Sequence, residues 1–196
     1  MTSRVLIAGA LGGIAMYIWS TIAHVALPLG QVGFSQMPNE AAVLSAARAS
    51  NGDKDGLYFF PWVDPKDPQM MQKMDAAMKA HPSGLLLYHP PGHGVTDMAK
   101  PMIIEFVKEV LQASLAAFLL SLAGIPSYWR RAGFVAVIGI IASITTNLSY
   151  WLWYGFPADY SLAAVFIEFM DYVAAGLAIA WWLGRRPATL PKATPA

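Results

Sequence analysis

Ser161-Leu-Ala-Ala-Val-Phe-Ile-Glu168-Phe-Met-Asp171-Tyr-Val-Ala-Ala-Gly-Leu-Ala178 is an apolar run broken by two acids. A helix in lipid has no water to solvate a carboxylate. A span that carries two must turn them toward protein, a cavity or a bound group. At ~100° per residue, Ser161, Ala164, Glu168, Asp171, Ala175 and Ala178 share one face. Leu162, Phe166, Phe169, Val173 and Leu177 share the other. A small, polar face opposite a bulky apolar one marks a helix packed against other helices within a membrane.

Three more runs repeat the pattern. With this one they give four expected spans, at 4–27, 103–125, 132–154 and 160–183. In the first, Gly9, Gly13, Tyr17, Ser20, Thr21 and His24 align. In the second, Glu105, Glu109, Gln112, Ala113, Ala116 and Ala123 do so. In the third the set is Ala136, Gly139, Ser143, Asn147, Tyr150 and Tyr154. The Gly9-x-x-x-Gly13 pair fits close packing inside a bundle. Four such stripes predict an all-α membrane protein, an antiparallel four-helix bundle with its polar faces inward.

Charged residues make up 13% of the chain, against roughly 25% in a typical soluble domain. The near-neutral net charge of +1 suggests no nucleic-acid partner, and the absence of Cys excludes disulfides and thiol chemistry. Arg4, the Arg130–Arg131 pair, and Arg185, Arg186 and Lys192 fall at alternate ends of the spans. The positive-inside rule then places both termini in the cytoplasm of a bacterial inner-membrane protein, with residues 28–102 and the short 155–159 turn outside. Tyr150, Trp151, Trp153 and Tyr154 suit an outer aromatic belt, and Trp129, Trp181 and Trp182 an inner one. A cleavable leader is the competing reading of the first span. Its apolar run is long for one, and Ala-His-Val-Ala-Leu-Pro28 offers no clean cleavage site. Residues 184–196, rich in Pro, Ala and Thr, read as a disordered cytoplasmic tail.

The periplasmic stretch 28–102 reads as a small α+β cap inserted between the first two spans. Pro38-Asn39-Glu40 opens a short helix through about Ala49, stopped by Gly52. Gly56–Pro61 and Gly84–Pro90 read as two strands of a ribbon. Between them lies a helix with Asp67 as N-cap and Pro68 at its first position. Met70, Met71, Met74 and Met78 form a stripe on that helix, a pliant apolar face expected to pack on the ribbon or the membrane surface. With His81, His89 and His93 nearby, a Cu(I) site is the sharper alternative. Pro90, Pro91 and Gly92 forbid a helical His89–His93 pair and leave a rigid turn, a candidate lid.

At 1.5 Å per residue, His24 lies ~5 Å inside the outer boundary, Glu109, Asn147 and Glu168 ~10–13 Å, and Asp171 ~17 Å. All fall in the outer half of a core ~30 Å thick. The expected site is therefore a polar pocket open to the outside, with a floor of Ala, Gly and Leu. Its members are His24, Glu105, Glu109, Asn147, Tyr150, Glu168 and Asp171. Protonation, water, a bound cation, or a basic group such as Arg48 must offset the buried acids. Glu105, Lys108 and Glu109 stand near a span's start, where headgroup water explains them as well as a pocket does. His24 is better suited to a hydrogen bond between helices than to a ligand role.

No phosphate loop, nucleotide fingerprint, serine elbow or His-Glu-x-x-His occurs in the sequence. Nothing identifies a cofactor or a catalytic residue. The expectation is a non-catalytic membrane accessory or binding protein whose cap and acidic pocket engage a protein partner in the bilayer or a small ligand or cation. The alternative is a metal-handling protein or metal-dependent enzyme using His24, Glu168 and Asp171, with Glu105 and Glu109. Such bundles use Glu-x-x-His on two helices, a motif this chain lacks. A proton or cation pathway is a third reading, opposed by the apolar inner half.

The segments Trp19–Gly30, Pro38–Leu44, Gly56–Pro61, Pro82–Pro90 and Ser149–Pro157 resemble those of a family of small bacterial four-helix inner-membrane proteins with no assigned activity. The resemblance spans most of the chain. It implies a bacterial membrane protein and carries no activity or catalytic residues.

Overall fold

The structure, a computed structural model, describes residues 2–92 and 94–185. The chain is mostly helical with one small two-stranded sheet. The long helices are α1 (Ser3–Thr21), α4 (Ala99–Ala123), α5 (Tyr128–Tyr154) and α6 (Ala158–Gly184). Between α1 and α4 lie α2 (Glu40–Asn51), β1 (Gly56–Phe60), α3 (Met70–Ala80) and β2 (Gly84–Tyr88). α1 runs on through a π-helical turn, Ile22–Ala26, and a 3-10 turn, Val95–Met98, leads into α4. Ser3–Ala26, α5 and α6 are each long and apolar enough to cross a membrane.

Two helices end by the same device. Gly124-Ile-Pro126 and Gly155-Phe-Pro157 follow α4 and α5, and each glycine takes a left-handed conformation (φ 61° and 69°). Such a cap satisfies the last carbonyls at no side-chain cost, and the proline bars continuation. The second of these short connections folds α5 against α6.

In space the order is α4–α1–α6–α5. α6 packs along both α5 and α1, α1 packs along α4, and α4 makes few contacts with α5 or α6. Small residues set these approaches. A Cβ on Gly9 would lie 2.5 Å from the Cα of Ser114, and one on Gly13 the same distance from the Cα of Val110. A Cβ on Gly139 would lie 2.4 Å from that of Tyr172. The expected Gly9/Gly13 packing face is thus the α1–α4 seam. Ala8, Met16, Ala113, Ala117, Leu120, Val135, Ala175 and Ile179 fill the core between the helices. The outward sides carry exposed Leu111, Leu115, Leu122, Ile141, Leu152 and Leu162.

One end of the helix group is tied by its own backbone. Arg4 donates to the carbonyls of Leu183 (2.8 Å) and Arg185, and Trp182 Nε1 donates to the Arg4 carbonyl at 3.1 Å. The Arg185 guanidinium stacks 3.7 Å from the Trp181 ring centroid. The start of α1 and the end of α6 therefore meet.

The inserted segment carries the expected ribbon, β1 antiparallel to β2, with Leu57 facing Leu87 and Phe59 facing Leu85. α2 is stopped at Gly52 (φ +60°), whose carbonyl accepts a 2.8 Å bond from Tyr88 Oη. α3 starts at Met70, later than the expected Asp67–Pro68 onset. Asp67 nonetheless serves the turn before it: its Oδ1 accepts from the Gln69 N–H at 2.8 Å and its Oδ2 from Lys73 at 2.5 Å. The Lys73 ammonium, aided by the Gln69 amide, holds the Asp67 carboxyl below its usual range. Within the methionine stripe Met70 and Met74 are half-buried and Met71 and Met78 exposed, and α3 has no fully buried residue.

Candidate functional site

Between them α1, α4, α5 and α6 leave a cavity of about 320 Å³. Ser20 and His24 line it from α1, Glu105 and Lys108 from α4, Asn147 from α5, and Tyr160, Glu168 and Asp171 from α6. Leu29, Gly30 and Phe34 close one side from the connection after α1. Phe34 meets Tyr160 edge-on with ring centroids 5.5 Å apart, and Trp19 Nε1 bonds the Ile167 carbonyl at 3.1 Å. The apolar core of Met16, Ala113, Tyr172 and Ala175 lies on the far side of Asp171 from Tyr160 along α6.

The polar groups are positioned by helix spacing. Asn147 Nδ2 donates to its own helix at the Ser143 carbonyl (2.8 Å) and across to Glu168 Oε2 (3.0 Å). Both amide hydrogens are thereby used, and Oδ1 is left as an acceptor. His24 sits in the π-helical turn, a feature often found at functional positions. Its Nδ1 lies 2.9 Å from the Ser20 carbonyl, so that nitrogen carries the proton and Nε2 is the ring's second face. The connection crowds the ring: a Cβ on Gly30 would fall 2.3 Å from His24 Cδ2. Lys108 is held by Glu105 at 2.5 Å, both side chains about half exposed.

Asp171 is different in kind. It is 9% exposed, and its Oδ1 has no hydrogen-bond partner among the described residues. A buried charge or polar group left unpaired is costly. Glu109 is buried further, at 1%, with both oxygens unpartnered. It lies within electrostatic range of Asp171, Glu105 and Lys108.

Of the seven expected site residues, the cavity gathers His24, Glu105, Asn147, Glu168 and Asp171. Glu109 is not on its wall; one turn from Glu105, it turns into the helix packing. Headgroup water therefore does not explain Glu109, although half-exposed Glu105 and Lys108 fit that account. Tyr150 also stands apart, 44% exposed and stacked on Phe156 with centroids 5.4 Å apart. Through Phe156, whose ring also lies 5.4 Å from that of Tyr160, it belongs to an aromatic group at the α5–α6 turn. Arg48 is exposed on α2 and does not line the cavity. His93, Arg186, Lys192 and the tail from 186 onward lie outside the described residues.

Sequence reasoning missed Phe34, Gly30 and Tyr160. Tyr160 was readable, since 160, 164, 168 and 171 share a helical face. Phe34 and Gly30 come from an aperiodic connection that offers no such signal.

The metal reading fares poorly on geometry. Among the described residues no three His, Asp or Glu side chains gather closely enough to hold a metal ion. His24, Glu168 and Asp171 share a wall without converging on a point. Comparison of the chain with protein-family models, curated proteins and solved structures gives no match. The site is read from its own chemistry.

Proposed function

We propose that this chain is a non-catalytic binding protein of the bacterial inner membrane, an accessory subunit whose outward-facing acidic cavity receives a ligand. One observation carries the reading: Asp171, a largely buried carboxylate in an otherwise apolar helix, lines a cavity with room for another molecule.

The membrane arrangement has its own support. Ser3–Ala26 and α6 each suit a crossing, and the start of one is bonded to the end of the other. Ends that meet lie on the same side, which requires an even number of crossings. α4, 25 residues long, is then the fourth span, and the helices form an antiparallel bundle with the ribbon segment as its cap. The Lys/Arg bias puts that shared end in the cytoplasm and residues 28–102 in the periplasm. Exposed Leu57, Trp62, Met71 and Leu87 give the cap an apolar surface suited to a protein neighbour in the membrane.

The test is gentle purification of a tagged copy from native membranes, followed by native mass spectrometry. A bound small molecule, or a second chain in constant ratio, is expected. A chain that always flies alone at its bare mass would overturn the reading.

A further inference from the structure

The end of the helix group where α1 begins and α6 ends holds a second cavity, of about 240 Å³. Arg4 reaches it from α1, Ser121 from α4, Ile125 from the turn that follows, Arg131 from α5 and Leu183 from α6. Arg4 and Arg131 are half-buried, and their guanidiniums reach the same short stretch of backbone. Arg4 Nη2 donates to the carbonyls of Leu183 and Arg185. Arg131 Nη1 lies 3.4 Å from where a Cβ on Gly184 would stand, and Arg131 Nε donates to the Ile125 carbonyl at 2.6 Å. Each guanidinium has five N–H donors. Those on Nε and Nη1 of Arg4, and on both terminal nitrogens of Arg131, have no partner among the described residues. The remaining polar side chain on the wall is Ser121, whose Oγ donates to the Phe118 carbonyl of its own helix.

No acid balances these groups. Among the described residues none of Arg4, Arg130, Arg131 and Arg185 forms an ion pair. Along α4 and α6 the nearest acids, Glu109 and Asp171, stand roughly 18–22 Å away at 1.5 Å per residue. Two helix starts (α1, α5) and two helix ends (α4, α6) meet here, so their dipoles offset one another. The excess positive charge is that of the arginines.

We infer that this cavity holds the phosphate of an anionic phospholipid, with Arg4 and Arg131 donating to its oxygens. The site is distinct from the acidic cavity. It needs of the reading above only that these helices end at a membrane surface. A phosphodiester offers the acceptors that the open guanidinium donors lack, and such pairs are charge-assisted and often bidentate. Basic pockets between spans are where anionic headgroups bind. The space equals roughly eight waters by liquid volume, room for a phosphate and part of its glycerol. Leu119 and Leu122, exposed on α4 close to Ser121, offer acyl chains an apolar face. Exposed Trp129 and Trp181 mark the interfacial level.

The experiment is native mass spectrometry of the full chain, delipidated in detergent and titrated with dioleoylphosphatidylglycerol, dioleoylphosphatidylcholine or dioleoylglycerol. One phosphatidylglycerol per chain is expected. It should bind at least about tenfold tighter than dioleoylglycerol, which has the same chains without the phosphate, and tighter than the zwitterionic lipid. Arg131→Gln should weaken phosphatidylglycerol by about tenfold. Arg130→Gln removes the same charge from the same end but not from the cavity wall, and should change binding by less than about twofold. Arg4→Gln gives a second reading if Arg131→Gln does not fold, and the ratio between lipids needs no variant. Dioleoylglycerol or phosphatidylcholine binding as tightly as phosphatidylglycerol would overturn the inference. Equal losses from Arg130→Gln and Arg131→Gln would overturn it too, as the mark of a diffuse attraction. Displacement of the lipid by inorganic phosphate at the same concentration would do so by making a free anion the occupant. None of these outcomes touches the acidic cavity, whose ligand is told from a lipid by mass and is expected to survive Arg131→Gln.

Discussion

Glu109 shows what one buried residue can report. It is 1% exposed, and neither oxygen has a partner among the described residues. A buried ionisable group without compensation is a stability cost that an apolar residue of similar volume relieves. Glu109→Met is therefore expected to raise unfolding stability by about 1–3 kcal/mol, read by equilibrium unfolding in mixed micelles. A loss of stability would mean that the carboxylate has a partner in the assembled protein. Asp67, outside the helix group, gives the opposite case. Lys73 lowers its folded value, so the pairing contributes above the unfolded carboxyl's value and fades as pH falls through the lower folded one. The Gln69 amide, bonded to Asp67 Oδ1, should titrate by NMR with a midpoint below that of an ordinary aspartate. A midpoint at or above it would remove the Lys73 contact. Both residues are visible in the sequence as acids, yet only Asp67 takes a local role near the expected one: it bonds the Gln69 amide in the turn before α3, while Gln69 holds the N-cap position. The inward turn of Glu109 follows from how α1 and α4 pack, and its stripe gave only the face.

At the scale of elements, helical period was enough to place four long helices and to give part of each packing face, while Thr21, Ala123 and Tyr154, expected on those faces, are exposed. Ser143, Asp171, Ala175, Ala113 and Ala116 are buried on the expected faces. Period does not say which face meets which neighbour. Gly9 and Gly13 were legible as a close-packing pair, but their partners Ser114 and Val110 on α4 were not. The seam has a direct test. Gly13→Ala puts a Cβ against the Val110 backbone and should cost about 1–3 kcal/mol as overpacking. Gly133→Ala in α5, where nothing lies within 4 Å of a new Cβ, should be neutral or gain up to about 1 kcal/mol from helix propensity. Equal effects in mixed-micelle unfolding would remove the α1–α4 seam. The short ribbon was also legible, because Gly56 and Gly84 open two runs ended by Pro61 and Pro90. The exposure of Met71 and Met78 on α3 was not, since an amphipathic helix shows that it has an apolar face but not whether anything in the chain covers it.

For the whole molecule, the arrangement depends on one count. If α1, α4, α5 and α6 all cross, the 124–127 turn lies on the side of Arg4, and the 155–157 turn on the side of the ribbon. If α4 lies outside the bilayer, α5 and α6 reverse, and both turns change sides. Yet Arg4 bonds Leu183, which puts the start of α1 and the end of α6 on one side, and an odd count would put them on opposite sides. The chain lacks cysteine, so single substitutions give a clean background for a membrane-impermeant maleimide. Asp53→Cys and Asp75→Cys, in the inserted segment, and Asp159→Cys, at the start of α6, should label in spheroplasts. Ser127→Cys, before α5, should label only after the membrane is opened. Labelling of Ser127→Cys in sealed spheroplasts, with protection at Asp159→Cys, would mean three crossings. The cavity between α4 and α6 could not then exist in the bilayer as described, because Glu105 and Asp171 would belong to helices in different phases.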